Sequence, residues 1–340
     1  MPLCTNCAQT IPYLYTIYHS VNNVRLEQCP SCRAPADPYV EHDALVVALD
    51  LILLKPEVYR HLLFNRGTPP RKVEETAPPR GQDDDGLQRE QCAEEKRVAA
   101  AAQDSARERT RRWLIVRVGA GVVLVDSFVR WSRLRRVDDG LLRGPKSGSS
   151  SWMTTSDGEA AVAFMHILLG CFVETASFHG GITLASIVVL RSLDCVARWR
   201  KRVNPPSSIR KQLRYSHISL CLFYSSLTKF LLLVVLSIWG PQIPKDTPPP
   251  ASYVYKMPLE SPLWHLLDDD VLDRTWLVRN LLGGMSAGFG LRVVLDCHPF
   301  FTSLIILLGC VVKTVVVSLV QEFVGPGNGV AETWLAYSIP

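Results

Sequence analysis

Four cysteines near the start of the chain carry its strongest chemical signal. Cys4-Thr5-Asn6-Cys7 and Cys29-Pro30-Ser31-Cys32 are two C-x-x-C pairs with 21 residues between them. Each pair fits a tight turn that aims both thiolates at one ion. Two such turns close a tetrahedral S4 site, the arrangement of a zinc ribbon. Thiolates are soft ligands that suit Zn2+, and four of them leave no open position for a reacting molecule. The expectation is one structural zinc held by Cys4, Cys7, Cys29 and Cys32. Two disulfides, or two unrelated thiol pairs, are the competing account. Zinc knuckles often carry Gly after the second Cys, where backbone N–H groups approach the sulfur; here those positions hold Ala8 and Arg33.

The segment after the cysteines is more distinctive. Asp37-Pro38-Tyr39-Val40-Glu41-His42-Asp43 leads into an apolar run from Ala44 to Leu54, interrupted only by Asp50. Lys55-Pro56-Glu57-Val58-Tyr59-Arg60-His61-Leu62-Leu63-Phe64-Asn65 follows. With the two Cys pairs and Arg25-Leu26, this stretch closely resembles the N-terminal homology domain of the Arv family. That name stands for acyl-CoA:sterol acyltransferase-related enzyme required for viability. The resemblance covers about a fifth of the chain. It implies a multi-pass protein of the endoplasmic reticulum (ER) membrane, acting in sterol distribution, sphingolipid homeostasis and the supply of glycosylphosphatidylinositol (GPI) anchor precursors.

The same stretch has a physical reading of its own. Ala44 to Leu54 would be roughly 16 Å long as a helix, too short for a hydrocarbon core of about 30 Å. Pro56 suits the first turn of a second helix, with Val58, His61, Leu62 and Phe64 at near-helical spacing. These residues form either a small core against the ribbon or a helix lying in a bilayer interface. In the second case Asp43 and Asp50, seven apart, would share the wet face.

The rest of the chain reads as linker and membrane anchor. Of its 340 residues, 47% are hydrophobic, mean hydropathy is +0.11, and the apolar residues are clustered. The fold class expected is a mainly α-helical membrane protein: a small N-terminal zinc ribbon followed by a polytopic helical region. The net charge of +5 comes largely from basic loops beside apolar segments. No dense basic face with aromatic or helical readers is present, so nucleic acid is not an expected partner. Cys92, Cys171, Cys195, Cys221, Cys297 and Cys310 lack framework spacing and read as small buried apolar residues. Cys4 and Cys7 stand where a signal peptide's apolar core would begin, so the N-terminus is expected in the cytosol, where thiols stay reduced.

Three regions are expected: the ribbon over 1–65, a charged linker over 66–112, and the membrane region over 113–340. The linker carries Pro- and Asp-rich runs, then a helix-favouring stretch from Leu87 to Arg112. Arg107, Arg109, Arg111 and Arg112 directly before Trp113 make a membrane-entry signature. Candidate spans are 113–131, 160–190, 218–239, 277–295 and 300–320. The first is weakened by Arg117 and Asp126. The second, broken by Glu174 and His179-Gly180-Gly181, reads as one tilted helix or a re-entrant pair. Gly284 and Gly288 give the fourth a G-x-x-x-G spacing for close helix contact. Residues 191–217 hold eight basic residues and one acidic, whereas 240–276 hold three basic and six acidic. The positive-inside rule therefore places the first loop in the cytosol and the second in the lumen. Residues 130–159 carry six basic residues, which conflicts with a crossing at 113–131.

Few constellations invite catalysis. His265 and Asp270 have the H-x-x-x-x-D spacing in which a His base is oriented by an Asp, but they sit in a Pro-rich acidic loop. Glu174, Lys229 and Lys313 are intramembrane charges that line a polar path, pair with one another, or snorkel. Arg292 and Asp296 could pair on one helix. With no phosphate-binding loop or open metal site, a non-catalytic role is expected: moving or presenting membrane lipids, sterols by the resemblance. The alternative is an accessory subunit of an ER lipid- or GPI-biosynthetic enzyme.

Overall fold

The computed structural model describes residues 1–18, 24–72, 86–141, 157–199, 207–239 and 281–324. His265, Asp270 and the whole 240–276 loop lie outside them.

The N-terminal part is a small sheet and two metal-loop turns. β1 (Tyr15–Ile17) pairs antiparallel with β2 (Val24–Leu26) and parallel with β3 (Arg71–Lys72), in the order β2-β1-β3. Among the described residues its own core is Cys4, Ile11, Leu14, Cys29 and Ala36, far too little apolar area to hold a fold without a further staple.

Asp37 caps a single 3-10 turn, Pro38–Val40. Helix α1 (Ala44–Ile52) ends where Leu54 enters the left-handed region at φ 58°. Helix α2 (Pro56–Arg60) starts on Pro56, whose missing N–H costs nothing there, and runs on through a wide π turn, His61–Asn65.

The remaining elements are long helices: α3 (Gly86–Leu141), α4 (Asp157–Trp199), the short α5 (Ser208–Gln212), α6 (Tyr215–Trp239), α7 (Gly283–Leu295) and α8 (Pro299–Val324). Among the described residues, Phe164–Trp199, Tyr215–Val235 and Pro299–Val320 are long and apolar enough to cross a membrane. Residues 160–190 are not a re-entrant pair. They belong to the unbroken α4, which packs along α8. Gly181 is a contact, not a break: a Cβ there would lie 3.2 Å from the Gly309 Cα, and one on Gly309 would lie 2.5 Å from Ile182 Cγ1. Gly288 does the same work in the G-x-x-x-G pair, facing Ile306 of α8 at 3.2 Å.

Residues 113–131 fall short of a crossing helix by composition, yet they lie among the crossing helices. Glu108 meets Ser216 and Gly119 abuts Phe223, so α3 runs parallel to α6. Val123 packs with Cys171 and Trp131 with Phe164, so α3 runs antiparallel to α4. Arg117 folds back over the Trp113 ring at 5.2 Å.

Two smaller expectations change. Arg292 and Asp296 do not meet as an i,i+4 helical pair. Asp296 leaves the helix at φ 47° and its N–H donates to the Arg292 carbonyl. Cys171 and Cys221 are buried as expected and Cys297 and Cys310 partly so, but Cys195 is exposed on the polar end of α4; the Cys92 side chain is not described.

The ribbon is not a separate module on a tether. Tyr39, Leu51, Val58, Tyr59, Leu63 and Phe64 share one core with Phe178, Ile182, Ile218, Leu220, Cys221, Leu291 and Leu295 of α4, α6 and α7.

Candidate functional site

The two cysteine turns are built alike. In the first, the Ala8 N–H donates to the Cys4 carbonyl at 3.0 Å; in the second, the Arg33 N–H donates to the Cys29 carbonyl at 2.9 Å. A bridge flanks each turn, Leu3 with Thr10 and Gln28 with Pro35. Ala8 and Arg33 both sit at φ 60°, the left-handed conformation that glycine adopts without penalty. The knuckle geometry therefore forms without its usual glycines.

The four sulfurs lie within 4.8 Å of one another, with Cys4 and Cys32 3.7 Å apart and Cys7 and Cys29 3.5 Å apart. A tetrahedron of thiolates at ~2.3 Å from zinc has edges of about 3.8 Å, so the donor set fits the ion. All four cysteines are free in the structure. Burial pushes the Cys4 thiol up to about 12 and raises that of Cys7. At Cys29 burial is overcome by the backbone N–H groups of Cys32 and Ser31, which draw the thiol down to about 7. When bound, zinc supplies folding free energy and crosslinks the two turns.

The residues around the cysteines hold the site to the helices. Arg60 Nη1 donates to the carbonyls of Thr5 and Asn6, both at 2.7 Å, inside the first metal loop. Asn65 brackets Leu3, accepting from its N–H and donating to its carbonyl, each at 2.8 Å. Asp37, fully buried, accepts from the Tyr39 N–H at 3.1 Å and the Asn65 amide at 2.7 Å, and it meets His61 Nδ1 at 2.8 Å. Asp50 accepts from the Tyr39 hydroxyl at 2.9 Å and pairs with Lys55 at 2.7 Å. Asp50 is thus not on a wet face with Asp43. It is turned inward and bonded, while Asp43 is exposed.

A second polar group lies between the long helices. Arg130 Nη2 reaches Asp126 at 2.9 Å on its own helix and Glu174 of α4 at 2.8 Å, with all three side chains buried. Lys313 of α8 is buried within electrostatic reach of the same group. Glu174 is paired, but with Arg130 of α3 and not with one of the other two intramembrane charges. Lys229 is 2% exposed, so it does not snorkel. Sequence reasoning missed Arg130 as Glu174's partner, because the two are joined only by tertiary packing.

The fold and the cysteine site define a membrane protein with an N-terminal cluster of four cysteines that could hold a metal ion, compatible with a zinc ribbon. The sequence pattern of the Arv1-like family matches residues 3–248, well over half of the chain, and the chain belongs to that family. Protein arv1 of Schizosaccharomyces pombe is 48% identical over 63 residues, 18% of this chain and 24% of that protein. Protein ARV1 of Saccharomyces cerevisiae is 43% identical over 63 residues, 18% of this chain and 19% of that protein. Protein ARV1 of Homo sapiens is 40% identical over 63 residues, 18% of this chain and 22% of that protein. The aligned segment therefore spans about a quarter or less of these relatives' own length. Their names carry no enzymatic activity, and the acyltransferase-related wording gains no support from them. No solved structure matches the chain significantly.

Proposed function

We propose that the protein is a non-catalytic mediator of intracellular sterol distribution in the ER membrane. Effects on sphingolipid homeostasis and GPI-anchor precursor supply would follow from that role. The observation that carries this reading is the shared core: Tyr59 and Phe64 of the ribbon segment pack with Cys221, Ile218 and Leu291 of the membrane helices. A metal-stapled domain fused in this way holds a fixed pose at the membrane surface. Membership of the Arv1-like family supports a lipid role, and our reading puts the ribbon on the cytosolic side, following the positive-inside rule. The four-thiolate site is closed, so its metal organises structure and carries no reaction.

The test is purification of the full chain in native detergent, followed by sterol transfer between donor and acceptor vesicles. The expected result is co-purified sterol and transfer above the protein-free rate. A protein that is inert alone and co-purifies in stoichiometric amount with a lipid- or GPI-synthetic enzyme would instead be its accessory subunit.

A further inference from the structure

Helix α1 is built inside out for a water-soluble surface helix. At 100° per residue, Leu45, Val46, Leu49, Ile52 and Leu53 fall on one continuous arc. Leu45, Val46, Leu49 and Leu53 are exposed, Leu45 by 70% and Leu53 by 67%. The only polar residue between Ala44 and Leu54 is Asp50, and its buried carboxylate is turned onto the Tyr39 hydroxyl and neutralised by the half-exposed Lys55. A helix in water puts its polar stripe outward. This one hides its carboxylate and presents leucines.

Contacts with α6 fix how deep the segment lies. Thr228 Oγ1 donates to the Ile52 carbonyl at 3.0 Å. Tyr59 lies beside Cys221 at Gly290, and the Phe64 ring is 4.7 Å from that of His217. Residues 52, 59 and 64 thus climb α6 in reverse order, from Thr228 to His217. The climb from Thr228 to His217 is about 16 Å on α6 at helical rise. Thr228 is itself about 20 Å from Tyr215, where the crossing segment starts.

The two ends of α1 differ in the way this placement requires. Non-aqueous surroundings demand that backbone polar groups be satisfied internally. At the C-terminal end the carbonyls of Leu49, Asp50 and Leu51 accept from Leu53, Lys55 and Leu54, and that of Ile52 from Thr228. At the N-terminal end Asp43 makes no side-chain capping bond, and Glu41, His42 and Asp43 are exposed, as suits a water-facing end.

We infer that residues 44–65 form a re-entrant hairpin dipping into the bilayer from the side of the zinc ribbon, with Leu45, Leu49 and Leu53 against lipid acyl chains. The occupant is the bilayer, because α1 is seated on the flank of a crossing helix more than halfway along it. This holds whichever lipid the protein moves.

The experiment places a photoreactive benzoylphenylalanine singly at Leu45, Leu49 or Leu53 in the full chain in native membranes. Leu307, exposed on the crossing part of α8, is the lipid-facing reference, and Tyr13 in the ribbon is the reference outside the hairpin. The result expected is phospholipid adduct at all three sites at the Leu307 yield, with none at Tyr13. Crosslinks to another protein, or absence of lipid adduct, overturn the inference. Zinc content of each variant reports its folding, and the Leu45 variant, at the most exposed site, decides the matter should either of the others lose its metal.

Discussion

Arg60 donates to the carbonyl of Thr5 at 2.7 Å, so the base of α2 holds the backbone between two metal ligands. Hydrogen bonds from a charged donor contribute ~1.5–3 kcal/mol each, and Arg60 makes a second one to Asn6. The wild-type chain should carry one zinc. Arg60→Met should release it to a competing chelator about tenfold faster or more. Zinc release followed with a colorimetric chelator checks both statements. A metal-free wild-type protein removes the site, and unchanged release in the variant removes the clamp.

Lys55 and Asp50 hold the turn between α1 and α2. The Lys55 ammonium lies 2.7 Å from the Asp50 carboxylate, which also accepts from the Tyr39 hydroxyl at 2.9 Å. Removing one partner leaves a buried carboxylate without its counter-charge. Lys55→Met should therefore lower the melting temperature, and adding Asp50→Asn should recover part of the loss. Thermal melts in detergent measure this; an unchanged melt in Lys55→Met would count against the pair.

Adjacent glycines in α4 should respond oppositely to alanine. A Cβ on Gly180 meets nothing within 4 Å, whereas one on Gly181 lies 2.9 Å from Val312 Cβ. Gly180→Ala should stabilise by up to ~1 kcal/mol through helix propensity. Gly181→Ala should cost ~1–3 kcal/mol by overpacking against α8. Melting temperatures of the two variants decide it, and equal effects would refute the tight α4–α8 contact.

Arg130→Leu takes away the cation that Asp126 and Glu174 share. Breaking a buried pair on one side costs ~3–5 kcal/mol, so the variant should accumulate poorly and aggregate on size exclusion. Adding Asp126→Asn and Glu174→Gln should recover part of the monodisperse protein. If Arg130→Leu behaves as wild type, the cluster does not hold α3 to α4.

What the sequence made legible follows from how local each signal is. The four-cysteine cluster was readable because each pair is set by a turn of four residues, and the crossing helices because hydropathy is summed over a continuous window. The continuity of α4 was hidden, since Glu174 and Gly181 weaken that window. Their compensation comes from Arg130 and Gly309, far away in sequence. The seven-residue spacing of Asp43 and Asp50 named a shared face but not its direction. That direction was settled by the Tyr39 hydroxyl and by Lys55. Leu51 and Leu54, in the same apolar run, pack on the protein interior instead.

The shared core also sets a schedule for biosynthesis. Val58, Tyr59, Leu63 and Phe64 leave the ribosome long before α6 and α7 exist to cover them. At about 5–20 residues per second, synthesis from Asn65 to Gly283 takes on the order of 10–40 s. Throughout that interval the nascent N-terminus is a sticky, half-finished surface that must be chaperoned or parked against the bilayer until its last partner helix is made.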